Sequence, residues 1–225
     1  VLVFDIETGS LPEDQLKAMC PPFDEADVKC GNLKDPEKIA AKIAEALVNH
    51  LKDFIDRAAL SAATGQVLAI GCYSPDSKTM RIIEGDEPDI LSAWWSVASK
   101  MIKSDREMVG HNIFNFDLPF LVRRSRILKV DVPKAIYTIS GRWVNWHKLF
   151  IDTRMLWQMG DAQCESSLDH VSRAFGCGGK PDDVTGADFA RLYRGTVKER
   201  AKAIEYLEND LKMTAGVVDR LFVGA

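Results

Sequence analysis

No apolar run in this sequence approaches the ~20 residues that a membrane-spanning helix needs. No basic, apolar and small-residue leader opens it either, so the expectation is a cytoplasmic protein with no membrane partner. Cysteine is too sparse for a disulfide framework: Cys20, Cys30, Cys72, Cys164 and Cys177 are odd in number and show no C-x-x-C spacing. Zinc through Cys20 and Cys30 is one reading of them, and free thiols in a reducing compartment are the plainer one. His50, His111, His147 and His170 are scattered, which supports neither a zinc site nor a catalytic triad. A net charge of −4 argues against coating nucleic acid by bulk attraction, although a local basic groove could still do so. There is no internal repeat and no low-complexity tract. Gly176-Cys177-Gly178-Gly179-Lys180-Pro181 is glycine-rich, but it lacks the spacing and the Ser/Thr of a phosphate-binding loop, and it follows a helix instead of opening one.

What is present begins at the first residue. Val1 to Phe4 are apolar and β-prone, as expected of a strand buried on both faces, and Asp5 and Glu7 follow at i, i+2. In a strand that spacing puts both carboxylates on one face, roughly 7 Å apart along the backbone. Thr8-Gly9-Ser10 is expected to break the strand, placing the acids at its C-terminal end, where ligands of α/β sheets bind. Two such acids repel each other unless cations hold them. D-x-E alone is equally well a solvated strand end. The chain starts inside this strand, which suggests that a short segment precedes Val1 in the native protein.

With 225 residues and 46% hydrophobic content, the chain can bury one sizeable core. Residues 11–64 read as an insertion within a single domain spanning 1–225. Pro12 to Asn32 is expected to be irregular. Asp35-Pro36-Glu37 then starts a helix, with an Asp cap, a Pro in the first position and an acid in the first turn. Ile39, Ile43, Leu47, Leu51, Phe54 and Ile55 make that helix amphipathic to about Leu60.

Beyond the insertion, Gln66–Ser74 and Thr79–Glu84 read as strands around the turn Pro75–Lys78, forming an antiparallel meander with the opening strand. Helices are expected at Pro88–Ile102, Asn115–Leu128, Thr153–Met159, Ser167–Phe175, Gly186–Arg194 and Thr196–Val223, with short strands at Met108–His111 and Leu149–Asp152. Pro119 fits the second of those helices if it lies in the first turn. Trp94-Trp95 should pack in the core. The order describes a five-stranded mixed sheet flanked by helices.

Two further stretches add acids to the pair. Asn112-x3-Phe116-Asp117-x-Pro119-x-Leu121 places Asp117 at a helix start after a short strand. Tyr206-x3-Asp210 puts a phenol and a carboxylate on one helix face, one turn apart. Asp152 is a weaker candidate, a strand-end acid before a helix. Together, Asp5-Ile6-Glu7-Thr8 and these two stretches resemble the three exonuclease motifs of the DnaQ-like 3′–5′ exonucleases, in their D-E-D-D-Tyr (DEDDy) branch. Their wording is closest to the proofreading domain of family-B DNA polymerases and to stand-alone relatives. The resemblance covers Val1 to about Leu221 apart from 11–64, which has no counterpart in compact members.

The resemblance implies an α/β, ribonuclease H-like fold and a metal-dependent 3′–5′ exonuclease that releases nucleoside monophosphates from single-stranded DNA 3′ ends. It also implies two Mg²⁺ or Mn²⁺ ions clamping the attacking and leaving oxygens. Such hard ions take oxygen ligands, which suits Asp and Glu. By the same resemblance Asp5 bridges both ions, Glu7 and Asp210 complete one site, and Asp117 supports the second through water. Tyr206 would orient the attacking water; in the His branch the equivalent lies five positions before the last Asp, and here that residue is Glu205. Thr8, Gly9, Leu11, Asn112 and Phe116 are candidate substrate contacts, although Thr8-Gly9 also reads as a plain turn and Phe116 as core.

Arg123, Arg124, Arg126, Lys129, Lys134, Arg142 and Lys148, interleaved with Tyr137, Trp143 and Trp146, face only Asp131 in opposite charge. They read equally as a single-strand groove or as a solvated helix face followed by an aromatic-cored hairpin. A ribonuclease D-like exoribonuclease acting on RNA 3′ ends and a non-catalytic nucleic-acid-binding module are the alternative functions. The identity of a replication or repair partner stays open.

Overall fold

The computed structural model describes residues 1–139, 149–181 and 183–222. Five strands form one sheet in the order β3-β2-β1-β4-β5: β1 is Leu2–Ser10, β2 Gly65–Ser74, β3 Thr79–Ile83, β4 Met108–Gly110 and β5 Phe150–Asp152. β2 and β3 pair antiparallel across the Pro75–Lys78 turn, with Ile70 opposite Ile83 and Ser74 opposite Thr79. β4 runs parallel to β1, Leu2 facing Met108 and Val3 facing Val109, and β5 runs parallel to β4. This is the mixed α/β sheet that the pattern of the sequence predicts.

Helices cover both faces of the central strand, which is why β1 opens on apolar residues. Phe4 turns one way, 4.5 Å between ring centroids from Trp94 of α3 (Glu87–Lys103) and 6.2 Å from Phe150. Val3 turns the other way into a cluster with Leu207 and Leu211 of α9 (Val197–Leu221) and Phe189 of α8 (Gly186–Tyr193). Gly71 makes the approach of α9 possible: a Cβ there would lie 2.5 Å from Leu211 Cδ1. α4 (Asp117–Ile127) starts two residues before Pro119, so the proline sits in the first turn and costs no helical hydrogen bond. α5 (Lys134–Ile139), α6 (Thr153–Gln158) and α7 (Leu168–Ala174) complete the helices of this part of the chain among the described residues. No helix among them is long and apolar enough to cross a membrane.

By internal contacts the chain divides into two compact units, Val1–Thr8 with Val67–Ala225, and Gly9–Gln66. The second holds α1 (Glu13–Met19), a 3₁₀ turn at Glu25–Asp27, α2 (Pro36–Arg57) and a 3₁₀ turn at Ala58–Leu60. The expectation that Pro12–Asn32 is irregular is therefore corrected: Glu13 and Asp14 favour a helix start, and Leu16 gives α1 a buried anchor. Asp35 caps α2 as its sequence suggests, accepting from the Glu37 amide at 3.0 Å. None of α2 is fully buried, and Leu47 and Leu51 of its apolar stripe are 55% and 36% exposed. The ends of the unit meet through Leu11 N–H to Thr64 O (2.9 Å) and Gln66 Nε2 to Ser10 O (2.9 Å).

Candidate metal centre

β1 continues through Thr8, Gly9 and Ser10, so the expected break after Glu7 does not occur. Glycine only weakens a strand, and pairing with the ten-residue β2 keeps the chain extended. The opening lies on the other edge, where the register with β4 covers only Leu2 and Val3. Asp5 and Glu7 follow, and strand alternation turns them to the same face as Val3, toward α9.

α9 begins with a reciprocal capping box between Thr196 and Glu199, and its buried face carries Tyr206 and Asp210, exposed by 3% and 5%. One carboxylate oxygen each from Asp5, Glu7 and Asp210 lies within 4.8 Å of the others. Asp117 stands beside this trio at the start of α4, its Oδ1 accepting from the Ile6 amide at 3.2 Å. It raises the pKa of Asp5 electrostatically, but it is outside the three-residue group.

Like charges gathered out of water are costly, and every acid here is pushed toward its neutral form. Burial is the main cause for Asp5, followed by the charges of Asp117 and Asp210. Burial and then Asp5 raise Glu7. Asp117 is pushed up to about 7, chiefly by burial and against the pull of the Ile6 amide. Asp210 is raised by burial although Lys180 draws it down, and its Oδ1 is buried with no hydrogen-bond partner among the described residues. A converging set of hard oxygen donors with an unsatisfied buried lone pair fits a Mg²⁺- or Mn²⁺-type cation, and the soft or nitrogen donors that would suit zinc are absent from the group.

Lys180 joins the candidate site in the structure, and reading the sequence missed it. Its ammonium donates to Asp210 Oδ2 at 2.6 Å and to the Tyr206 hydroxyl, and it lies 4.5 Å from the centroid of the Tyr206 ring. The glycine-rich stretch around it does not match a phosphate-binding loop, so its motif alone gives the lysine no role. The one local signal was a solitary cation among glycines, and its meaning depends on partners 26 and 30 residues further on.

The remaining candidates are distributed unevenly. Thr8 and Gly9 directly follow Glu7 in β1, and Leu11 lies just past the strand. Asn112 has a left-handed backbone (φ +65°), and its Oδ1 accepts from Arg154 Nη1 at 2.9 Å and Asn115 Nδ2 at 3.0 Å. Phe116 is half-buried against Phe120, with ring centroids 5.5 Å apart. Asp152 is spent structurally. It accepts from the amides of Asn112 (2.9 Å), Phe114 (3.0 Å) and Arg154 (3.0 Å), capping α6 and fixing the loop after β4.

His111 bridges Thr153 Oγ1 and the Ser166 carbonyl, both at 2.8 Å, and its pKa is lowered mainly by burial. Arg124 is no surface cation: it is 3% exposed and forms a two-pronged pair with Glu87 at 2.6 and 2.8 Å. Of the two readings of this basic run, the one with a hairpin around Tyr137 is corrected in its first part, since Lys134–Ile139 is helical. Arg142, Trp143, Trp146, His147, Lys148 and the side chain of Tyr137 lie outside the described residues. The two tryptophans of α3 are in the core, with Trp95 Nε1 bonded to Ser125 Oγ at 2.8 Å.

A family model described as RNase_H superfamily matches residues 55–222, which takes in Asp117, Tyr206 and Asp210 and begins after Asp5 and Glu7. Among solved structures, the chain is similar to a family B DNA polymerase from the hyperthermophilic archaeon Pyrobaculum calidifontis, with a TM-score of 0.61 and 18% identity. The similarity covers 98% of this chain and 24% of the polymerase, so the chain spans about a quarter of that protein's length. At this identity the likeness is one of fold.

Proposed function

The chain belongs to the RNase H superfamily, and on that premise we propose that it is a metal-dependent 3′–5′ exonuclease of the DEDDy kind, hydrolysing single-stranded DNA ends to nucleoside monophosphates. The observation that carries the reading is the convergence of Asp5, Glu7 and Asp210 within 4.8 Å, one helical turn from Tyr206. Asp5, Glu7 and Asp210 would hold Mg²⁺ or Mn²⁺, with Asp117 supporting a second ion beside Asp5. When bound, such ions acidify water and neutralise charge on the attacking and leaving oxygens of a phosphodiester.

The chain's own residues supply position. Tyr206 is pushed up to about 12, mainly by burial, so its hydroxyl keeps its proton at neutral pH. It therefore serves as a hydrogen-bonding guide for the attacking water and not as a base. The proton passes to solvent or to a neighbouring carboxylate. Phe116 and Thr8 would meet the terminal nucleotide, Phe116 through the part of its ring that Phe120 leaves uncovered.

Incubation with 5′-labelled single strands tests this. The expected result is a single-nucleotide ladder from DNA with Mg²⁺ or Mn²⁺ and an intact strand with chelator. A ladder from RNA alone would move the reading to a ribonuclease D-like enzyme. Binding of either strand without cleavage in both metals would overturn the assignment in favour of a binding module.

A further inference from the structure

We propose that Lys180 is a built-in competitor for the metal site: its ammonium holds Asp210 and Tyr206 until a divalent cation displaces it, so that metal loading and the position of this side chain are coupled. The inference rests on the reading of Asp5, Glu7 and Asp210 as metal ligands.

The geometry sets the two occupancies against each other. Lys180 Nζ sits 2.6 Å from Asp210 Oδ2, and its other partner is the hydroxyl assigned to the attacking water. A dication held by the free Asp210 Oδ1 would share that carboxylate with the ammonium on Oδ2, and like charges so placed repel in a part-buried site. Tyr206 is engaged by the same group, so one movement frees both the carboxylate oxygen and the phenol.

Lys180 also has somewhere to go. Its side chain keeps 30% exposure, whereas the Arg124–Glu87 pair is closed at 4% and 9%. A cavity of about 410 Å³ adjoins it, lined by Ser167, Asp169, Arg173, Thr185 and Tyr206 together with Lys180 itself. Asp169 already accepts the Lys180 amide at 2.6 Å and pairs with Arg173 Nε at 2.9 Å, and its carboxylate is the acid in that cavity that the displaced ammonium would share with Arg173. The backbone need not follow. Ser172 holds the Gly178 carbonyl at 3.0 Å and Asn209 the Gly179 carbonyl at 3.3 Å, while Gly176 and Gly178 take the left-handed conformations (φ +69° and +99°) that shape the loop. The lysine is thus a part-exposed side chain with free space beside it on a tethered loop.

Calorimetric titration of Mn²⁺ into the full chain tests the coupling. Lys180→Met should bind Mn²⁺ about tenfold more tightly than the wild type, about 1.4 kcal/mol, and Lys180→Arg should return toward the wild-type affinity. Equal or weaker binding in Lys180→Met overturns the inference and leaves the metal site intact. Absence of Mn²⁺ binding in every form overturns the metal-site reading and the inference with it. Should Lys180→Met fail to fold, acylation of Lys180 in the wild type, followed by mass spectrometry, gives the second measurement. Reactivity rising with saturating Mn²⁺ supports displacement, and reactivity unmoved by Mn²⁺ overturns it.

Discussion

Asp152 and Asp210 are both buried acids, exposed by 2% and 5%, and both end up beside a helix at the carboxyl side of the sheet's parallel strands. Around Asp152 the protein provides backbone N–H groups from two directions, three of them at 3.0 Å or less. Around Asp210 the described residues provide two more carboxylates and one ammonium, and leave one of its oxygens without a donor. A carboxylate surrounded by amides is a structural tie, because its desolvation is offset bond by bond. A carboxylate among carboxylates stays uncompensated until a proton or a cation relieves it, which is what the proposed metal centre would exploit. The same side chain at similar burial therefore has opposite meanings, and the neighbours decide which.

The largest effect that would sharpen this contrast is expected from Asp210→Ala. It should lose Mn²⁺ affinity and all measurable cleavage; retained Mn²⁺ binding by calorimetry would break the assignment of Asp210 as a ligand. Tyr206→Phe should come next, keeping the fold, Mn²⁺ affinity and DNA affinity while kcat falls on the order of 100-fold, roughly 2.7 kcal/mol. Turnover close to wild type would reduce the hydroxyl to a packing contact.

Asp152→Ala probes the other side of the comparison. Stranding the amides of Asn112, Phe114 and Arg154 should cost about 2 kcal/mol in urea unfolding. Mn²⁺ affinity of the folded fraction should stay unchanged. A loss of Mn²⁺ binding larger than the loss of stability would show that Asp152 belongs to the metal centre after all.

The smallest effects concern the metal-free protein. Asp5→Asn should raise its stability by on the order of 1 kcal/mol, the scale of one relieved like-charge contact, while abolishing turnover. A destabilised Asp5→Asn variant would break the picture of uncompensated repulsion. The pH dependence has the same origin. Asp5, Glu7, Asp117 and Asp210 all have raised folded-state pKa values, so the folded chain binds more protons than the unfolded one above the ordinary carboxylate range. Their contribution is fully present below about 4 and is lost as pH rises through the folded values, about 7 for Asp117. Surface acids with lowered pKa values, such as Asp169, Asp188 and Glu199, give way only below that window. Without metal, thermal stability should therefore fall from pH 5 to pH 8, and saturating Mn²⁺ should flatten the slope. An unchanged slope with Mn²⁺ would separate these acids from metal binding.

Much of this molecule is local in origin and so was legible from the chain. Asp35-Pro36-Glu37 starts α2 because a cap, a fixed φ and an acidic first turn act within a few residues. Asp5 with Glu7, and Tyr206 with Asp210, converge in pairs because strand and helix periods dictate it. The apolar opening of β1 announced a strand covered on both faces. The length of β1 was not legible, since pairing with β2 outweighs a local glycine.

The sequence by itself determined which residue types lie on each element and which of them share a face. Tertiary structure alone decided which charges from different elements meet. Arg124 reads as one of a row of surface cations, and only the packing of α4 against α3 brings it to Glu87, 37 residues away. Lys180 reads as an incidental cation in a glycine-rich turn, and only the fold sets it on Asp210 and Tyr206. Asp152 and Asp210 are indistinguishable as letters until their surroundings supply amides to one and carboxylates to the other. The physical reason is range: backbone propensity is settled over one or two turns, while the free energy of a buried charge depends on every group within several ångströms, whatever its distance along the chain.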